Sequence, residues 1–303
     1  MKLKNLIAAT YAPMKKDTSL NPEIIGAYGD FLHKNKVAGA FINGSTGDFA
    51  SLTVEERKLM VEAWSQNKPD GFQIINHVGH TSLKVAMDLT THAANKVDAI
   101  AALAPFYFRL NKMEKLVDYC KAIALSAPNL PFYYYHIPDL SGADFRMVDF
   151  LDMATQTIPN FAGLKFTKNN LIDYKYCLDF KEKAYDILFG VDEMFISSLP
   201  LGAKGWVGST YNHLAPLYYK IKELFENGDH ETAATLQSKA MRFVDCLNDK
   251  GGFNGVAKGY MKTLGVDCGP SRFPHATLTD DAYVEISREL DAMGLLPDMS
   301  TFK

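Results

Sequence analysis

Phe161-Ala-Gly-Leu-Lys-Phe-Thr167 is the stretch on which the reading of this chain turns. It is short, apolar and strand-like, apart from one lysine. Lysine is seldom fully buried unless it is paired or used. Desolvation disfavours the charged form of a lysine, and a neutral amine in a dry pocket is the reagent that adds to a ketone to form a Schiff base. The other reading is a lysine whose stem lies along the strand while its head reaches water. Strand alternation puts Gly163, Lys165 and Thr167 on one face and Leu164 and Phe166 on the other. The second face is apolar, as a strand covered by helices requires.

Working outward, seven more segments of the same kind recur, at residues 6–13, 38–46, 73–80, 99–106, 131–138, 186–192 and 205–210. Their spacing, roughly 20 to 35 residues, is that of a βα unit. Helix signals fill the gaps. Thr53-Val-Glu-Glu56 is a capping box ahead of a helix reaching about Asn67, and residues 82–95 and 113–127 carry apolar side chains at helical spacing. Apolar strands alternating with amphipathic helices imply a parallel sheet covered on both faces. Eight units point to an α/β fold, a (β/α)8 TIM barrel, over residues 1–225. The alternative is a doubly wound open sheet, but the first strand–turn lacks G-x-G-x-x-G. Beyond about Leu214 strand signals stop, and residues 217–226, 231–247 and 282–293 read as helical. Residues 226–303 are expected to form a C-terminal helical extension packed on the barrel.

Composition narrows the function. The chain has 303 residues, 47% of them hydrophobic and 22% charged, with net charge −3, which gives no footing for nucleic acid or an anionic membrane surface. No apolar run approaches a bilayer span, and the N-terminal apolar stretch is too short for a signal sequence. Four scattered cysteines with no Cys-x-x-Cys pair suit a reducing compartment, so a cytoplasmic protein is expected. His77 and His80 fall on opposite faces of a strand without an acidic partner, so no metal site is expected. No G-x-S-x-G elbow supports a serine hydrolase.

In such barrels the active site lies at the C-terminal ends of the strands. Polar residues gather there: Gly44-Ser-Thr-Gly-Asp48, Tyr133-Tyr-Tyr-His-Ile-Pro138, Lys165 and Thr167, Phe189-Gly-Val-Asp-Glu193, and Gly208-Ser-Thr-Tyr-Asn212. Tyr135 is nearest the strand end on its face, and is the residue expected to meet Lys165. The alternative for a tyrosine-rich strand is core packing, the expected role of Tyr133 and Tyr134. The glycine turn around Ser45 and Thr46 offers backbone N–H groups suited to a carboxylate or phosphate.

Together these motifs resemble, in order and spacing over nearly the whole chain, the N-acetylneuraminate lyase / dihydrodipicolinate synthase family of pyruvate-dependent class I aldolases. The resemblance implies a (β/α)8 barrel, a lysine imine with a 2-oxo acid, no cofactor, and a homotetramer. It is nearest to the N-acetylneuraminate lyase branch, because dihydrodipicolinate synthases typically carry an arginine where this chain has Leu140. It implies Lys165 as the nucleophile, Tyr135 as proton carrier and Ser45 as the group that orients Tyr135. Thr46 would bind the substrate carboxylate through its amide, and Thr167, Gly190, Asp192, Glu193 and Ser209 the hydroxyls of a 2-oxo sugar acid. Tyr107 matches a family tyrosine near the subunit contact and the active site, implying a place among the substrate-binding residues, with aromatic packing at the barrel rim as its other reading. Asp48 stands where the family usually has glutamate. A sugar-acid aldolase of the same fold and a non-catalytic sensor are the rival functions, though a sensor would be expected to lose the lysine or the tyrosine.

Overall fold

The computed structural model describes residues 3–296 and Met299. Eight parallel strands close on themselves in sequence order: β1 (Asn5–Ala9), β2 (Gly39–Ile42), β3 (Gln73–His77), β4 (Ala99–Leu103), β5 (Phe132–His136), β6 (Phe161–Phe166), β7 (Asp186–Phe189) and β8 (Gly205–Gly208). β8 pairs with β1 through Asn5 opposite Gly205 and Ile7 opposite Val207, so no sheet edge remains. The open-sheet alternative is excluded. Every strand ends earlier than the segment read for it, and the residues that follow form the loops of the barrel rim.

The connecting helices are α1 (Ile25–Lys34), α2 (Val54–Asn67), α3 (Leu83–Ala93), α4 (Met113–Leu125), the short α5 (Pro138–Ser141), α6 (Met147–Thr157), α7 (Leu171–Asp179) and the short α8 (Phe195–Ser198). α2 starts as its sequence requires. The Thr53 hydroxyl accepts from Glu56 N at 3.2 Å, and the Glu56 carboxylate accepts from Thr53 N at 2.8 Å.

Alternation along the strands builds two cores. Ile7, Phe41, Ile75, Ala101, Tyr133, Tyr135, Leu188 and Val207 fill the barrel interior. Tyr134, Leu164, Phe166 and Trp206 face outward into the layer shared with the helices. β6 departs from simple alternation at one point. Phe132 pairs with Phe161 but Tyr133 pairs with Gly163, so Ala162 is an extra residue in the strand. That bulge sends Phe161 outward while keeping Lys165 inward. It requires glycine at 163, where a Cβ would collide with the Asp186 carbonyl.

The chain then continues through α9 (Tyr211–Glu226), α10 (His230–Asn248), α11 (Phe253–Tyr260) and α12 (Asp280–Ala292). α9 starts well before residue 217 and bends at Leu214, two residues ahead of Pro216. α11 has no counterpart among the sequence expectations. The Gly251–Gly252 pair reads as a break and is one, with φ of 130° and 99°, but a helix starts directly after it. Among the described residues no helix is long and apolar enough to cross a membrane.

Candidate active site

β5 and β6 bring Lys165 and Tyr135 together. The two are direct cross-strand partners, both interior, and 5% and 3% exposed. The lysine does not run out to water. Its Nζ lies over the face of the Tyr135 ring, 4.0 Å from the centroid, and 4.3 Å from the centroid of Phe41 on β2. Above the pair opens a cavity of about 620 Å³, within the range of small-molecule sites.

The β7 and β8 ends supply an acidic wall. Asp192 Oδ2 accepts from Thr210 N at 2.9 Å and from the Thr210 hydroxyl at 2.7 Å, while Oδ1 has no hydrogen-bond partner among the described residues. Gly208 leaves the space this carboxylate occupies, since a Cβ there would overlap it. Burial pushes the Asp192 carboxyl up from the ordinary range, against the Thr210 bonds and the nearby Lys165 charge. Glu193 is also raised, by burial first and then by the Asp192 charge. Gly190 is needed for the same kind of reason, because a Cβ would meet the Thr167 hydroxyl, which is itself buried without a hydrogen-bond partner among the described residues. Unpaired acceptors and hydroxyls on one wall are what a polyhydroxylated ligand would satisfy.

Of the residues singled out from sequence, Lys165, Tyr135, Thr46, Thr167, Gly190, Asp192, Glu193 and Ser209 all line this cavity. Ser45 and Tyr107 do not. Ser45 opens the 3-10 turn Ser45–Gly47, and among the described residues no hydrogen bond joins it to Tyr135. Tyr107 is 77% exposed, packs edge-to-face on Phe108, and borders a separate groove with Phe49 and His80. The structure also adds residues that the sequence reading missed. Val244 and Asn248 of α10, Phe253 of α11, and the charged Asp139 and Lys168 also line the cavity. Lys168 is paired with Asp144. The two charged residues could have been sought just past the β5 and β6 ends, but nothing in the sequence aims the C-terminal helices at this cavity.

A closed (β/α)8 barrel with a buried lysine facing a tyrosine under an acidic, hydroxyl-rich wall defines a class of Schiff-base enzyme scaffold. This chain belongs to the dihydrodipicolinate synthetase family, whose pattern its residues 2–293 match. It is 38% identical to the N-acetylneuraminate lyase of Rattus norvegicus, over 97% of this chain and 94% of the relative. Among solved structures it resembles the Proteus mirabilis N-acetylneuraminate lyase, with TM-score 0.93, 34% identity, and coverage of 98% and 100% of the two chains. It also resembles a catalytic-lysine mutant of the Ruminococcus gnavus sialic acid aldolase, with TM-score 0.89, 29% identity and 97% coverage of each chain.

Proposed function

We propose that this chain is a class I aldolase that cleaves N-acetylneuraminate reversibly to pyruvate and N-acetylmannosamine. The observation that carries the reading is the buried Lys165 amine directly across from Tyr135, at the floor of the cavity. The names of its relatives support the same reaction, and the acidic wall supports a sugar substrate over a small apolar one.

The open-chain sugar acid presents a ketone beside a carboxylate. The carboxylate lies against the Ser45–Thr46 turn, where Thr46 faces the cavity. Lys165 Nζ attacks the ketone carbon, and the carbonyl oxygen leaves as water, giving a protonated imine. Loss of the C4 hydroxyl proton to Tyr135, or through the substrate carboxylate, breaks the C3–C4 bond. The electron pair moves into the imine to form an enamine, and the aldehyde N-acetylmannosamine departs. Protonation at C3 and hydrolysis release pyruvate and regenerate the amine. Asp192, Glu193, Thr167 and Ser209 hold the sugar hydroxyls, so the bond that breaks sits over the lysine.

The enzyme works in the cytoplasm as a homotetramer. Four buried free cysteines are consistent with a reducing compartment, and Tyr107 and Phe108, 77% and 82% exposed, with a subunit contact.

The test is borohydride reduction in the presence of pyruvate, read by intact-protein mass. The wild type gains the mass of a reduced pyruvate adduct, and Lys165→Ala gains none and turns over no N-acetylneuraminate. Equal trapping of the alanine variant removes Lys165 from the mechanism. A coupled assay comparing N-acetylneuraminate with 2-keto-3-deoxygluconate tests the substrate. Faster turnover of the second would replace the sialic acid assignment.

A further inference from the structure

Lys165 Nζ occupies a corner made by two aromatic faces. The rings of Phe41 and Tyr135 meet at 75° with centroids 5.4 Å apart, and the nitrogen lies 4.3 and 4.0 Å from them. Among the described residues it has no ion pair and no hydrogen bond. A positive charge formed on this nitrogen, as on a protonated imine, would meet the negative faces of two aromatic quadrupoles. The corner is built. Gly44 leaves room for Phe41, since a Cβ there would lie 2.7 Å from the ring. His77 of β3 stacks against Phe41 at 6.2 Å and meets Tyr135 edge-on at 5.9 Å. Leu103 N donates to His77 Nε2 at 3.3 Å, which leaves the ring proton on Nδ1, 2.9 Å from the Asn43 carbonyl. Burial, with the Arg57 charge, keeps that imidazole neutral, so it braces both rings without adding charge.

We propose that Phe41 is a further catalytic residue, whose ring face, together with that of Tyr135, holds the proton on the Lys165 imine until the C3–C4 bond breaks. The inference rests on the imine reading above. Once water has left, the nitrogen carries one proton and a positive charge. Only this protonated form accepts the electron pair from the breaking bond. An imine nitrogen is far less basic than the amine it came from, and a dry pocket disfavours its cation further. Two ring faces oppose that loss. The titratable groups around the nitrogen are Tyr135 from β5, His77 from β3 and Asp192 from the turn after β7. Glu193, Asp139 and Lys168 line the same cavity. Of these, Tyr135 and His77 touch the Phe41 ring itself, and no ring contact joins Phe41 to the others among the described residues.

Fluorination isolates the ring face from its shape. Phe41 is replaced in turn by 4-fluoro-, 3,5-difluoro- and 3,4,5-trifluorophenylalanine, and kcat is followed against pH. The alkaline limb of that profile, which reports groups in the enzyme–substrate complex, moves to lower pH with each added fluorine. The full shift is on the order of one pH unit. Phe41→Leu, which keeps apolar bulk without a ring, moves it at least as far. If the fluorinated series superimposes on the wild type while pyruvate and borohydride still trap the wild type, Phe41 is packing alone and the proposal falls. If the wild type itself is not trapped, the imine reading falls first, and this inference with it.

Discussion

Asp192 shows a residue kept at a cost to the fold. Its buried carboxyl has one oxygen bonded twice to Thr210 and the other without a hydrogen-bond partner among the described residues. Its folded pKa lies above the ordinary value, so the protonated form is the one the fold prefers. Whatever stability it contributes is therefore present below the unfolded value, about 3.9, and lost as pH rises through the folded one. At neutral pH it is a burden. Asp192→Asn keeps an acceptor for both Thr210 bonds and removes the charge. The variant is expected to be more stable than wild type at pH 7, by about 1 kcal/mol, with the gap closing near pH 4. Its kcat/KM for the sugar acid should fall roughly 10- to 100-fold, as a charged acceptor of sugar hydroxyls is lost. Melting curves at the two pH values and steady-state kinetics check both halves. A variant no more stable at pH 7 than at pH 4, relative to wild type, would contradict the account.

At the scale of the element, β5 shows what a sequence reveals and what it hides. Period-two alternation alone places Tyr133 and Tyr135 inward and Tyr134 and His136 outward, and the structure agrees. The facing of Tyr135 and Lys165 follows from the same rule on adjacent strands. The bulge at Ala162 was not legible, because it depends on how two strands pair rather than on either one. Asn248 and Phe253 were hidden because they reach the cavity from helices, where no strand-end signal exists. The fate of His136 was hidden for a related reason. It is fully buried, both ring nitrogens lack hydrogen-bond partners among the described residues, and it packs between Tyr134 and Phe166. Burial, with the Lys168 charge, pushes it down to about 4. The unfolded chain therefore takes up its proton first, near pH 6.5, and stability drains away as pH falls from there toward 4. The slope is about 1.4 kcal/mol per pH unit for this one group. His136→Leu is expected to leave stability at pH 7 within about 1 kcal/mol of wild type, since an unpaired imidazole is replaced by apolar bulk. It should flatten the acid limb by one proton. Urea unfolding between pH 7 and 4.5 measures this, and an unchanged slope would show that His136 protonates in the folded state as readily as in the unfolded one.

Across the whole molecule, the C-terminal segment is fastened to the β2–α2 connection, the same loop that carries Ser45 and Thr46. Lys258 of α11 pairs with Asp48 at 3.1 Å, both side chains almost wholly buried. Arg272 grips Glu56 through both Nη atoms, at 2.8 and 2.5 Å, and donates to the carbonyls of Thr18 and Ser51. Glu56 is also the capping-box residue of α2, so one side chain links a helix start to Arg272 of the C-terminal segment. Asp48, in a left-handed conformation with φ 62°, follows directly on the turn that faces the cavity. These contacts hold the C-terminal segment beside the cavity that Val244, Asn248 and Phe253 line. They also make the β2–α2 connection and the segment that carries Lys258 and Arg272 depend on each other. A buried pair gains little over apolar residues of equal size, but breaking it from one side strands the other charge. Lys258→Met is therefore expected to lose about 3–5 kcal/mol, because it leaves the Asp48 carboxylate buried and unpaired. The double variant Asp48→Asn with Lys258→Met should recover most of that loss, giving a coupling energy well above the 0.5 kcal/mol or so seen between independent sites. Chemical denaturation of the four proteins in the cycle supplies the number. Additive losses would mean that the two charges hold their places independently, and that the extension is anchored by Arg272 and apolar packing alone.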